Sequence, residues 1–189
     1  MSVDAVVKLG GSLLASGDPR ALLLALVAAA RTHRIVVVPG GGPFADAVRG
    51  TTARLEPGSS AAHWMAILGM DQHALLLAAL APEARRVSTP VEIAATTEAG
   101  RLAILSPHAW LREADPLPHG WHVTSDSIAA WLAGQLGARR LVLVKSGEAP
   151  EALPRAGLVD PYFETALPAG VACRIVGARS PDALVAALA

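Results

Sequence analysis

Lysine is scarce in this chain. Of 16 basic residues, 14 are arginine and only Lys8 and Lys145 are lysine, in a sequence that also carries 39 alanines. Both lysines follow four or more strand-like residues, and both are followed within two positions by glycine: Lys8-Leu9-Gly10-Gly11-Ser12 and Lys145-Ser146-Gly147. A third cluster, Pro39-Gly40-Gly41-Gly42-Pro43, closes another apolar run. Consecutive glycines let backbone N–H groups approach an anion unobstructed, and such nests bind phosphate. A helix opening at Pro43 adds the positive end of its dipole to that turn. The plainer alternative is that the glycines only make tight strand-to-helix turns. The paired lysines favour the anion site, because a compact ammonium can track a moving phosphoryl group where a guanidinium fork cannot.

These residues need a scaffold that gathers strand ends. Short β-branched runs alternate with longer helical patterns, which predicts an α/β fold with a mostly parallel sheet. Strands are expected at Val3–Leu9, Arg34–Val38, Arg140–Val144 and Ala172–Val176, with weaker ones at Arg85–Ser88 and Arg101–Leu105. The run Ile35-Val36-Val37-Val38 does not alternate, as expected of a strand covered on both faces. Helices are expected from Arg20 to Thr32 behind Asp18-Pro19, from Ser60 to Leu80, from Asp126 to Leu136 with Gly137 as terminator, and after Ser180-Pro181. Pro116–Gly120 and Gly147–Gly157 read as surface loops, so residues 1–189 form one domain. In open α/β sheets ligands bind outside the carboxyl ends of strands, where all three glycine clusters fall.

Composition excludes several classes. Sixteen acidic residues balance the basic ones, so the electrostatic footprint of a nucleic-acid binder is missing. The longest apolar run, Ala21–Ala30, is too short for a bilayer, which needs about 20 residues. A signal-peptide pattern is not visible, and a single cysteine, Cys173, rules out an internal disulfide framework. A cytoplasmic protein without nucleic-acid or membrane partners is the expectation. His119-x-x-His122 lacks a third ligand and reads as a pair of solvated loop histidines, so no protein metal site is expected. The Walker A loop, the dinucleotide fingerprint and the protein-kinase signatures are all absent.

Four segments taken together are distinctive: Val7-Lys8-Leu9-Gly10-Gly11-Ser12, Val38-Pro39-Gly40-Gly41-Gly42-Pro43, Val123-Thr124-Ser125-Asp126-Ser127-Ile128-Ala129-Ala130 and Leu143-Val144-Lys145-Ser146. In this order they resemble the amino acid kinase family. The resemblance implies a three-layer αβα sandwich with a mostly parallel central sheet, and phosphoryl transfer from ATP with Mg²⁺. By the same resemblance Lys8, Asp126 and Lys145 form the catalytic set, with Asp126 holding the ammonium groups. Gly10, Gly11, Ser12, Gly40, Gly41, Gly42 and Ser146 then surround the phosphates, and Ser125 faces the acceptor. Asp126 also has a plainer reading, as a first-turn carboxylate favoured by the helix dipole. After Lys145 the chain departs from its relatives: Ser146-Gly147-Glu148-Ala149-Pro150 replaces a Val-Asp-Gly-like segment, and the Asp160 and Tyr162 stretch is expected to supply part of the nucleotide pocket.

The segment His63-Trp64-Met65-Ala66-Ile67-Leu68-Gly69-Met70-Asp71-Gln72-His73 narrows the acceptor. At helical spacing Trp64, Ile67, Leu68, Asp71 and Leu75 share a stripe, putting a carboxylate beside a tryptophan on an apolar face. The segment resembles the small branch of the family that converts (aminomethyl)furanmethyl phosphate to its diphosphate in methanofuran-type cofactor biosynthesis. An acceptor with an ammonium group wants a carboxylate and an aromatic face, which assigns Trp64 and Asp71 to substrate binding. A carboxylate or nucleotide monophosphate acceptor, and a non-catalytic nucleotide- or oxoanion-binding storage protein, are the competing readings. The family resemblance and the alanine-rich chain suggest a homo-oligomer.

Overall fold

A computed structural model describes residues 2–147 and 157–189. Its centre is a sheet whose six strands, among the described residues, run in the order β3-β4-β2-β1-β5-β6. Strand β1 (Ala5–Leu9) lies between β2 (Ile35–Pro39) and β5 (Arg140–Lys145). Beyond β2 come β4 (Ala103–Leu105) and then β3 (Arg85–Val87), and β6 (Ala172–Gly177) forms the opposite edge. Every pairing is parallel. The chain first builds leftward from β1 and then crosses to β5. The carboxyl ends of β1, β2 and β5 therefore meet where the winding direction changes, the place where open α/β sheets take ligands.

The central strands β1, β2 and β5 are apolar along almost their whole length because both faces are covered. On one face Val6, Val36, Val38, Leu141 and Leu143 pack with Ile67, Ile93, Ile128, Leu132 and Phe163. On the other, Ala5, Val7, Leu9, Ile35, Val37 and Val142 pack with Leu22, Leu23, Leu26, Leu77 and Leu184. The result is the expected αβα sandwich.

Helix α2 (Arg20–Ala29) follows the short α1 (Leu13–Ser16), and Asp18 Oδ1 accepts the Arg20 N–H at 3.0 Å. Helix α3 (Gly42–Leu55) starts one residue before the expected Pro43, and α4 (Ser59–Leu80) matches its expectation closely. Helix α7 (Ser125–Gln135) has Thr124 at its N-cap, and Gly137 takes a positive φ of 56° just beyond its end. Helices α5 (Pro90–Glu98) and α6 (His108–Ala114) had no sequence expectation. The first carries a full capping box, Thr89 with Glu92, a start signal present in the sequence. The carboxyl-terminal half adds α8 (Phe163–Ala166) and α9 (Pro181–Ala186), the latter capped by Ser180. Part of the loop expected over Gly147–Gly157, including Glu148–Pro150, lies outside the described residues. Among the described residues no helix is long and apolar enough to cross a membrane.

Candidate active site

Lys8 sits on β1 and Lys145 ends β5, adjacent parallel strands whose register pairs Lys8 with Leu143. Asp126 reaches up from the first turn of α7 and bridges them. Lys8 Nζ lies 2.8 Å from Asp126 Oδ1, and Lys145 Nζ donates to Oδ2 at 2.6 Å. Lys8 is 5% exposed and Asp126 4%, so both are shielded from water, while Lys145 is half-buried at the mouth of the group.

Burial pushes the Asp126 carboxyl up, but the two ammonium groups outweigh it and hold the carboxyl below its ordinary value. Burial also dominates at Lys8 and lowers its pKa, opposed by Asp126 and reinforced by Lys145. Two cations on one carboxylate leave a net positive charge in a low-dielectric pocket, which is what a charge-rich phosphoryl group requires.

The glycine clusters have a packing role as well. A Cβ on Gly11 would overlap the backbone nitrogen of Gly42, so the two turns touch main chain to main chain. Gly42 also takes a positive φ of 55°. Gly11, Gly41 and Gly42 line a cleft of about 310 Å³ together with Lys8, Gly10, Ser12, Ser125 and Lys145. Gly10 and Gly40 play a different part from that expected. Gly10 donates its N–H to Val144 O at 3.0 Å, and Gly40 donates to Leu9 O at 2.7 Å, which ties the turns to the strand ends.

His73, unassigned in the sequence, supports the second turn from below. This α4 side chain is buried, and its Nδ1 is 2.6 Å from Gly40 O, which accepts the ring N–H. Burial lowers its pKa, with the Gly40 carbonyl opposing and Lys8 adding to the effect, so a neutral imidazole holds the turn.

Asp160 is engaged with α7. Its Oδ2 accepts from Thr124 N at 3.0 Å, Thr124 Oγ1 at 2.8 Å and Ser127 N at 3.0 Å. Its Oδ1 accepts from the Ser127 hydroxyl and from Tyr162 N. Five donors fill this carboxylate, so its role here is to fix the helix start that carries Asp126. Tyr162 packs on the core and edge-to-face with His122. Ser146 faces a second cavity of about 340 Å³, lined also by Leu13, Asp18, Leu22, Ala178 and Arg179, and its hydroxyl meets that of Ser12 at 3.1 Å.

Trp64 and Asp71 are not on the wall of the cleft. Their expected stripe is split: Ile67 is buried, whereas Leu68 and Leu75 are 43% and 54% exposed. Asp71 Oδ1 accepts the His108 N–H at 3.1 Å, at the start of α6, and Arg112 of the same helix stacks over Trp64 at 4.7 Å. The sequence pattern could not show this because α6 was not anticipated as their partner. The cleft wall instead carries Asp46, Arg49, His63 and Trp121. Arg49 bonds Asp46 Oδ1 at 3.1 Å and lies over the Trp121 ring at 4.5 Å. Helical spacing of Asp46 and Arg49 behind the glycine turn was a readable signal for the first two. Trp121 comes from a loop and carried none.

His119 is also not the solvated loop histidine expected. It bonds Ser60 Oγ at 2.8 Å and Asp115 Oδ1 at 2.8 Å, and its ring stacks on His63 at 4.3 Å. This latch pins the loop bearing Gly120 and Trp121 to the start of α4. Among the described residues no three histidine, cysteine or acidic side chains converge as a metal cage.

The Amino acid kinase family profile matches residues 5–148, and the chain belongs to the amino acid kinase family. It is 31% identical over 138 residues to the [5-(aminomethyl)furan-3-yl]methyl phosphate kinase of Methanocaldococcus jannaschii, a match covering 73% of this chain. The match spans 63% of that enzyme's length. The fold is similar to uridylate kinase from Archaeoglobus fulgidus, with a TM-score of 0.68 at 16% identity, covering 98% of this chain and 95% of that one. It is also similar to UMP kinase from Bacillus anthracis, with a TM-score of 0.67 at 13% identity over 98% and 91% of the two chains.

Proposed function

We propose that this protein is an ATP-dependent kinase that transfers the γ-phosphoryl group to a phosphate monoester, with (aminomethyl)furanmethyl phosphate as the acceptor and its diphosphate as the product. The observation that carries the reading is the buried Lys8–Asp126–Lys145 bridge between two glycine turns. The identity to the Methanocaldococcus jannaschii enzyme supports the choice of acceptor.

The chemistry follows from the charges. An acceptor phosphate oxygen attacks the γ-phosphorus, the bond from that phosphorus to the β,γ-bridging oxygen breaks, and ADP leaves with the electron pair. A phosphate dianion carries no proton that must be removed, so no general base is required. Asp126, held ionised by both ammonium groups, positions them and stays out of proton transfer. Lys8 then faces the transferred group, Lys145 the nucleotide side, and the Gly11 and Gly41–Gly42 turns enclose the phosphate oxygens. The second cavity, joined to the cleft by the Ser12–Ser146 contact, takes the nucleoside end. Mg²⁺ would arrive with the triphosphate rather than on a cage of protein side chains, and would supply charge neutralisation for the departing diphosphate. The exposed Leu68, Leu75 and Leu76 on α4 accord with a homo-oligomer.

The test is ATP-dependent phosphorylation of (aminomethyl)furanmethyl phosphate, UMP, isopentenyl phosphate and acetylglutamate. Turnover of the furan phosphate in preference to the others is expected, with loss of at least a hundredfold in kcat for Lys8→Ala. Nucleotide bound without turnover of any acceptor would favour a storage role. Turnover that survives Lys8→Ala would overturn the mechanism.

A further inference from the structure

The corner of the cleft farthest along α3 already holds a positive charge. Arg49 lies over the Trp121 ring at 4.5 Å and bonds Asp46 Oδ1 at 3.1 Å. Asp46 Oδ2 has no partner among the described residues. The Arg49 guanidinium covers the Trp121 face, so the exposed Asp46 Oδ2 is the group this corner leaves for an organic cation. Asp46 follows Gly42 by four residues, so both lie on one side of α3, separated by one turn or about 6 Å along the axis.

We infer that Asp46, held by Arg49, is the specificity-determining carboxylate that binds an alkylammonium group on the acceptor, one helical turn from the phosphate seated at the Gly41–Gly42 turn. The chemical class is a small flat ring with a phosphate ester on one side and a primary amine on the other. Arg49 holds Oδ1 and orients the carboxylate, and the ammonium takes Oδ2. The other wall does not oppose that charge. His63, which lines the same cleft from α4, is pushed down to about 4 by burial and by the facing His119, so it meets the acceptor as a neutral ring. The inference rests on the kinase reading and assigns it an acceptor class. It moves amine recognition from Trp64 and Asp71, which α6 occupies, to a carboxylate on the wall of the cleft.

The test compares two acceptors with the full-length protein and ATP: (aminomethyl)furanmethyl phosphate and its analogue bearing a methyl group in place of the aminomethyl group. The wild type is expected to favour the amine by about tenfold to a hundredfold in kcat/KM, the range of one hydrogen bond to a charged group. Asp46→Asn should bring that ratio close to one, with the loss falling on KM for the amine. Asp46→Glu should restore part of the ratio, which separates recognition from misfolding. A ratio that survives Asp46→Asn, or collapses equally in Asp46→Glu, overturns the inference and leaves the kinase reading standing. Turnover of neither acceptor by the wild type removes the furan phosphate as the acceptor, and the inference with it.

Discussion

Asp160 and Ser127 are bonded twice, through the Ser127 backbone N–H at 3.0 Å and through its hydroxyl, across 33 residues of sequence. Ser127 is fully buried, and it sits one residue from Asp126. The carboxylate thus holds the first turn of α7 in place, and with it the group that aligns both lysines.

Asp160→Ala should cost about 1–3 kcal/mol of stability, because buried donors of Thr124 and Ser127 lose their acceptor. The variant should also lose kcat more than KM, since the shifted turn misplaces Asp126 without touching substrate. Urea denaturation and steady-state kinetics check both. Full stability with wild-type kcat would mean that α7 holds itself.

The buried lysine sets an alkaline limit. The Lys8 pKa is lowered below its ordinary 10.5 by burial, so the ammonium is lost at lower pH than a solvated lysine's would be. The kcat/KM profile, which reports the free enzyme, should fall on the alkaline side before pH 10.5, and Asp126→Asn, which removes the opposing charge, should move that limb lower. Asp126 behaves with the opposite sign for stability. Its folded pKa is depressed, so its contribution is present above the ordinary carboxylate range and disappears as pH falls through the folded value. An alkaline limb that is unmoved in Asp126→Asn would detach Lys8 from the rate.

His63 titrates at about 4 in the folded chain against an ordinary 6.5, chiefly through burial. The unfolded chain therefore binds the extra proton first. Stability should fall as pH drops from about 6.5 to about 4, and flatten below, for this group. Comparing His63→Gln with wild type by urea denaturation across that window should show a shallower slope in the variant. Parallel slopes would place the acid sensitivity elsewhere.

Gly11→Ala should destabilise the protein by about 1–3 kcal/mol and raise KM for ATP, because the added methyl must push Gly42 away. Gly147→Ala is the internal comparison. Its Cβ would meet nothing within 4 Å among the described residues, so its stability should stay within about 0.5 kcal/mol of wild type. Equal melting of the two variants would show that the contact between the turns is not tight.

Strand positions and the placement of both lysines were legible from sequence because they follow from short-range rules, whereas Asp126 was picked out by the family resemblance. Ile35–Val38 had to be a two-sided strand, and Lys8 and Lys145 had to lie at strand ends next to glycine. The stripe through Trp64 and Asp71 misled because spacing defines a helix face without identifying its neighbour, and here the neighbour is α6. Asp160 could not be read either: its five donors come from residues up to 36 positions away. The histidine latch is of the same kind, with His119 and Ser60 joined across 59 residues.

The parallel register of β1 and β5 has an evolutionary consequence. Lys8 and Lys145 hang from neighbouring strands in the middle of the sandwich, where the interstrand gap of about 4.8 Å acts as a fixed ruler. The cleft residues Asp46, Arg49 and Trp121 hang instead from a helix flank and a latched loop. If the proposed acceptor site holds, substitutions at Asp46, Arg49 or Trp121 would redirect the enzyme to a new compound while the transfer apparatus keeps its dimensions. One chassis can accommodate successive chemistries by changing a single wall.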